Sequence, residues 1–234
     1  LTDPRYGFGG SYTLVRGFFD LSADYWEHNL EGHAKRVLTP TVTATLAGQF
    51  TQHDAEQAQG EDFRIGRVVA GGEWAFSPDG SLSGQAGASV FAPQGSETTV
   101  RPSVLALWTQ RFLYFSLSAS YSSGFQADFQ SVDSTGVSFV QSASVYLRSL
   151  AFRDLAGTVG VRWNRQEFEQ SSTSRVGGTT ESTWDLEARL EYILARPLVL
   201  TLGYIYTIRS STDPTAAFVE NRVRLGLTYR YDLF

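Results

Sequence analysis

The chain closes on a strand with two clearly separated faces. From Asn221 to Phe234, Val223, Leu225, Leu227, Tyr229, Tyr231 and Leu233 fall on one face, and Arg222, Arg224, Thr228 and Arg230 on the other. Successive side chains of a strand point to opposite sides, so this period of two predicts a β-strand with one apolar and one polar side. Such a strand has two homes. In a sandwich in water the polar side meets solvent. In a barrel within lipid the apolar side faces outward and the polar side inward.

The same rhythm recurs upstream. Leu198, Leu200, Leu202, Tyr204, Tyr206 and Ile208 oppose Thr201, Gly203, Thr207 and Arg209. Trp184, Leu186, Ala188, Leu190, Tyr192 and Leu194 oppose Asp185, Glu187, Arg189 and Glu191. Val159, Val161 and Trp163 oppose Thr158, Arg162 and Asn164, and Val137, Phe139, Ala143, Val145 and Leu147 oppose Ser138, Ser142, Ser144, Tyr146 and Arg148. The most regular run is Leu113 to Phe129, with Phe115, Leu117, Ala119, Tyr121, Phe125 and Ala127 against Ser116, Ser118, Ser120, Ser122, Gln126 and Asp128. Leu82 to Val90, Val68 to Phe76 and Val42 to Phe50 repeat it, whereas Ser103 to Arg111 is apolar on both parities. Near the start, Tyr6 to Leu14, Phe19 to Tyr25 and Ala34 to Leu38 predict three further strands.

The spacers sort by length. Arg16-Gly17, Thr39-Pro40, Ser77 to Gly80, Arg111-Phe112, Phe152 to Asp154 and Arg196-Pro197 predict tight turns, the third a strong turn signal. Spacers near 28–33, 55–61, 131–135, 171–182 and 212–220 are longer and polar. Short turns at one rim and long loops at the other belong to a transmembrane antiparallel up-and-down β-barrel, and a sandwich in water gives no reason for that sorting. The longest apolar run, Val104 to Trp108, is far below the ~20 residues a transmembrane helix needs. The expected organisation is therefore an all-β chain with residues 1–234 as a single barrel domain.

Composition agrees where it bears on the choice. Aromatics make up 14% of the chain, and Trp26, Trp74, Trp108, Trp163 and Trp184 fall mostly near strand ends, where they would anchor at the headgroup levels. Cysteine is absent, which removes disulfides and thiol chemistry. Methionine is absent even at position 1, which a removed signal peptide would explain. The net charge of -5 argues against a nucleic-acid binder.

The ending Arg224-Leu-Gly-Leu-Thr-Tyr-Arg-Tyr-Asp-Leu-Phe234 resembles the terminal strand of bacterial outer-membrane β-barrels, and the resemblance covers essentially the whole chain. It implies residence in the outer membrane of a Gram-negative cell, contact with outer-membrane lipid and lipopolysaccharide, and reading of the last strand by the barrel-assembly machinery. It departs at the end, where Asp232 replaces the expected aromatic and Phe234 is out of phase with Tyr231 and Leu233. The strand–Thr-Pro–strand texture is loosely similar to porins linked to exopolysaccharide export, which implies envelope protein partners.

Counting back from Phe234 in the periplasm gives an odd number of strands, while bacterial single-chain barrels have even numbers. Either residues 30–38 do not form a spanning strand, or one strand precedes Leu1. The expected barrel thus has about 12–14 strands.

A barrel of that size leaves room for a lumen. One wall, from residues 81–92, 113–130 and 137–148, is rich in Ser and Gln. The opposite wall carries the candidate lumen-lining residues Arg148, Arg162, Asp185, Glu187, Arg189, Glu191, Arg209, Arg222, Arg224 and Arg230. They would form either a charged constriction that selects small polar or charged solutes or a ladder of cross-strand ion pairs that stiffens the wall. Tyr114, Tyr146 and Phe91 are the inward aromatics, too few for a sugar-stacking path. His28, His33 and His53 lie near predicted loops, and His53 with Asp54 and either Asp24 or Glu56 is the best acid–base candidate. No spacing singles out a nucleophile, so no enzyme activity, metal or cofactor is expected. The leading expectation is a porin-like passive channel, with a non-conducting scaffold barrel as the alternative and a loop-sited outer-membrane hydrolase behind both.

Overall fold

The computed structural model describes residues 5–17, 25–55, 62–128, 136–149, 154–169, 178–195 and 198–229. The strands of the first half are β1 (Tyr6–Gly17), β2 (Tyr25–Thr39), β3 (Val42–Ala55), β4 (Phe63–Ser77), β5 (Gly80–Pro93) and β6 (Thr99–Arg111). Those of the second half are β7 (Phe115–Asp128), β8 (Gly136–Ser149), β9 (Leu155–Phe168), β10 (Thr180–Ala195), β11 (Leu198–Ser211) and β12 (Phe218–Tyr229). They form one 12-stranded sheet in chain order, every neighbour antiparallel. This is the up-and-down barrel meander. Among the described residues no helix is long and apolar enough to cross a membrane.

Strands of 12 to 16 residues run about 40–50 Å, well past the ~9–11 tilted residues that cross a bilayer. The strand ends that flank 40–41, 78–79, 112–114, 150–154 and 196–197 share one edge of the meander, and those that flank 18–24, 56–62, 94–98, 129–135, 169–179 and 212–217 share the other. The sorting of short and long connections therefore holds. Its first members do not: Arg16 and Gly17 end β1, and residues 28–33 sit inside β2, where Glu31 pairs with Ser11 and Gln49. One long β2 replaces the two short N-terminal segments, which makes the count even. Tyr114 lies in the β6–β7 turn rather than on an inner face. Phe234 lies outside the described residues.

Register continuity assigns the faces. Tyr12, Leu30, Phe50, Val68, Leu82, Trp108, Val145, Val161, Leu186, Leu202, Val223 and Leu225 share the outer face, and large apolar side chains are exposed along it. All five tryptophans lie on that face. A sheet in water could not leave so much apolar surface open, whereas lipid requires it. β6 reads ambiguously in sequence because Leu105 and Leu107 occupy its inner face while Val104, Ala106 and Trp108 occupy its outer one.

The core sits inside, at the long-loop end. Pairing of β6 with β7 stops at Val104 and Ser123. There Ser123 Oγ accepts from Val104 N at 3.0 Å, and Ser103 Oγ donates to Ser123 O at 3.0 Å. Beyond that point β7 crosses the inner side of β6, and Phe125 N donates to Ser89 Oγ of β5 at 3.5 Å. Phe125, Phe139 and Val137 then bury against Phe63, Ile65 and Phe91 of the β4–β5 inner face. The Phe91–Phe125 and Phe125–Phe139 ring centroids are 5.7 and 5.5 Å apart. Simple alternation places Phe125, Ala127, Val137 and Phe139 toward lipid. The structure corrects this: the ends of β7 and β8 turn that face onto the opposite wall.

Candidate functional site

The folded-in ends of β7 and β8, together with the inner faces of β1 to β6, enclose a cavity of about 690 Å³. Its walls carry Glu27, Asn29 and Glu31 of β2, Gln49 and Thr51 of β3, Arg67 of β4 and Gln126 of β7. Residues from β1 to β8 line this one cavity, so that part of the sheet curls around it. Two side-chain bonds order its upper wall: Thr51 Oγ1 donates to Asn29 Oδ1 at 2.6 Å, and Asn29 Nδ2 to Glu27 Oε1 at 2.5 Å. The volume falls in the range of small-molecule sites.

The predicted serine wall is present. Ser116, Ser118, Ser120 and Ser122 lie on the inner parity of β7 opposite Arg148, Tyr146, Ser144 and Ser142 of β8, and the Ser120 and Ser144 hydroxyls are 2.8 Å apart. The predicted charged wall follows on β8 to β12. Arg162, Asp185, Thr207 and Glu220 form one cross-strand row, and Gly160, Glu187, Ile205 and Arg222 the next. Thr158, Arg189, Gly203 and Arg224 form the third, and Arg148 opposite Thr158 extends it into β8.

Most of these charges are paired. Arg189 meets Glu191 at 2.5 Å, Arg148 meets Glu191 at 3.6 Å and Arg162 meets Glu187 at 3.9 Å. Arg222 meets Glu220 at 2.7 Å, Arg209 pairs with Glu181, and Arg162 donates to the Tyr146 hydroxyl at 2.9 Å. Asp185 accepts from Thr207 Oγ1 at 2.6 Å. These side chains are partly open to solvent, so each pair contributes only ~0–1 kcal/mol. Arg224 shares the row of Arg189 without an ion pair among the described residues. Arg230 lies outside the described residues.

The strand alternation separates the histidine candidates. His53 is buried on the inner face, stacked on Phe63 at 4.7 Å and tilted against Tyr25 at 4.6 Å. Asp54, the next residue, points to the outer face, where Gln52 Nε2 donates to it at 2.9 Å and His28 stands 4.0 Å away. His53 and Asp54 therefore do not form a pair, and Asp24 and Glu56 lie outside the described residues. His33 sits on the inner face of β2, away from both. Phe91 belongs to the buried cluster, and Tyr146 faces inward as expected. Among the described residues no group of side chains could hold a metal ion.

Sequence reasoning misses Glu27 and Glu31 because the polar middle of β2 reads as a loop; alternation does put Gln49 and Arg67 on the polar faces of β3 and β4, but nothing in the pattern joins them to a site. It also misses Arg101, whose guanidinium reaches Glu167 of β9 and Glu169 just beyond it at 3.5 and 3.6 Å. A signal for the inturned end was available. Ser123 and Gln141 interrupt the apolar faces of β7 and β8, and Arg165 and Glu167 continue the lipid parity of β9 with charge.

Comparison with known proteins supports the same architecture. Residues 126–231 match the family described as "Putative beta-barrel porin 2". Two crystal structures of variants of the ferric enterobactin receptor PfeA from Pseudomonas aeruginosa are similar in fold, with TM-scores of 0.55 and 0.57. Identities are 10% and 11%, so the likeness concerns the fold alone; each match covers 97% of this chain and 42% of the receptor. The chain thus spans about two fifths of the length of those receptors. No curated protein matches it. With a 12-stranded meander, an apolar outer face and a porin-type second half, the chain is a bacterial outer-membrane β-barrel.

Proposed function

We propose that this barrel is a passive, porin-like conduit for small polar or charged solutes, narrowed at its long-loop end by the ends of β7 and β8. The observation that carries the reading is the polar cavity of about 690 Å³ held between the inner faces of β1 to β6 and the inturned ends of β7 and β8, while the outer face is apolar. In this reading Arg148, Arg162, Asp185, Glu187, Arg189, Glu191, Arg209, Arg222, Arg224 and Arg230 line the lumen. Charges of both signs on adjacent rows give a field across the pore. The texture shared with exopolysaccharide-linked porins supports a place beside an envelope export system. Lipid, lipopolysaccharide and the barrel-assembly machinery are its proposed partners.

Conductance across a planar bilayer tests the proposal. Steady single-channel steps support it. A correctly inserted but silent barrel supports the second reading, a scaffold that docks envelope proteins at its rims. The apolar cluster of Phe63, Phe91, Phe125 and Phe139 favours that reading, because it fills space a channel would leave open. A hydrolase is not proposed: His53 is packed between aromatic rings, facing away from Asp54. Lipid or peptide hydrolysis that vanishes in His53→Ala would overturn that exclusion.

A further inference from the structure

The register that builds the inner wall sets Glu31, Gln49, Arg67 and Ser89 in a single row across β2, β3, β4 and β5. All four line the same cavity. Glu31 and Arg67 stand two strand spacings apart, about 9.6 Å, and no ion pair joins them among the described residues. The Arg67 Nε is buried and lacks a hydrogen-bond partner among the described residues. A buried N–H without an acceptor is costly even on a half-buried side chain, and the planar guanidinium fork suits a carboxylate held by two parallel bonds. Farther along the same face of β2, the Thr51–Asn29–Glu27 chain orients a second carboxylate at the wall. With two carboxylates and one guanidinium, the cavity disfavours a simple anion. A neutral solute leaves all three charges unanswered.

We propose that this cavity binds small zwitterionic solutes, amino acids or short peptides, with the solute carboxylate on Arg67 and its ammonium on Glu31. A dipeptide, at most about 7 Å long when extended, fits between the two. Gln49 lies under its backbone, and Tyr25 and Phe125 supply the apolar part of the wall. The inference deepens the channel reading by naming its solute class, and it rests on that reading only for the step from binding to passage.

The test is titration calorimetry of the purified, detergent-solubilised barrel with glycylglycine, beside acetate, ethylamine and neutral N-acetylglycinamide. Saturable binding of glycylglycine is expected, weakened by about tenfold or more in Arg67→Gln and in Glu31→Gln, since a charged hydrogen bond at that strength is lost in each. No saturable binding, equal binding of the neutral amide, or unchanged binding in both variants overturns it. If Arg67→Gln does not fold, Glu31→Gln decides alone, because the exposed Glu31 side chain is outside the packed core. Calorimetry reads binding without flux. A silent barrel that binds glycylglycine keeps the site and removes the channel, and a conducting barrel that does not bind keeps the channel and removes the site.

Discussion

Arg101 of β6 reaches past β7 and β8 to Glu167 of β9 at 3.5 Å, and its guanidinium lies 5.5 Å from the centre of the Phe139 ring. It thereby ties the inner wall to the inturned end of β8. Partly exposed ion pairs contribute ~0–1 kcal/mol, and the ring contact adds ~0.5–1 kcal/mol. Arg101→Gln is expected to loosen this end without unfolding the sheet. Amide exchange at Phe125 should speed up about three- to tenfold, and pore conductance should rise. Unchanged exchange at Phe125 would show that the aromatic cluster holds the end unaided.

The outer face meets lipid at mid-strand. Leu186→Arg is expected to cost about 2–4 kcal/mol of folding stability in bilayers. Its neighbour on the inner face behaves differently: Glu187→Gln removes a 3.9 Å ion pair with Arg162 and should cost less than ~1 kcal/mol. Urea titrations in lipid vesicles compare the two. Equal costs would contradict the assignment of faces.

Gly87 of β5 stands where β4 approaches closely, and a Cβ added there would overlap the Val68 carbonyl. The only relief is movement of backbone. Gly87→Val should therefore destabilise by about 1–3 kcal/mol, read as an earlier urea midpoint at unchanged slope.

Arg189 and Arg222 carry positive charge on adjacent rows of the wall. Replacing both by Gln is expected to move a conducting pore toward cation selectivity, measured as a shift in reversal potential under a salt gradient. A conducting pore whose selectivity stays put would make the charged ladder a stiffening device.

Between β11 and β12, Asp213 accepts from Thr215 Oγ1 at 2.7 Å and Thr215 N at 2.9 Å. Those bonds favour the ionised form and hold its carboxyl below the usual carboxylate range. Because the folded value is the lower one, the contribution is present above the unfolded carboxylate pKa and is lost as pH falls through the folded value. Thr215→Val removes the hydroxyl bond and should raise the Asp213 pKa in a carboxyl NMR titration.

Alternation alone specified most of the strands, most of the loop sorting, the outer apolar face away from the inturned end and the charged rows of β9 to β12, because a pleated strand writes its two faces directly into the sequence. Local pattern failed in three places. β2 carries polar His28, Asn29 and Glu31 in mid-strand, a composition that reads as a loop. β6 carries leucines on both faces and reads as neither side. Phe125 and Phe139 have lipid-facing parity and point inward. Only the tertiary structure decided that last point, together with the cavity it closes. Parity gives the side of a strand on which a residue lies, but not what the strand bends toward. β7 leaves β6 beyond Ser123 because Ser103, Ser123 and Ser89, distant in sequence, satisfy the backbone groups that the lost pairing frees.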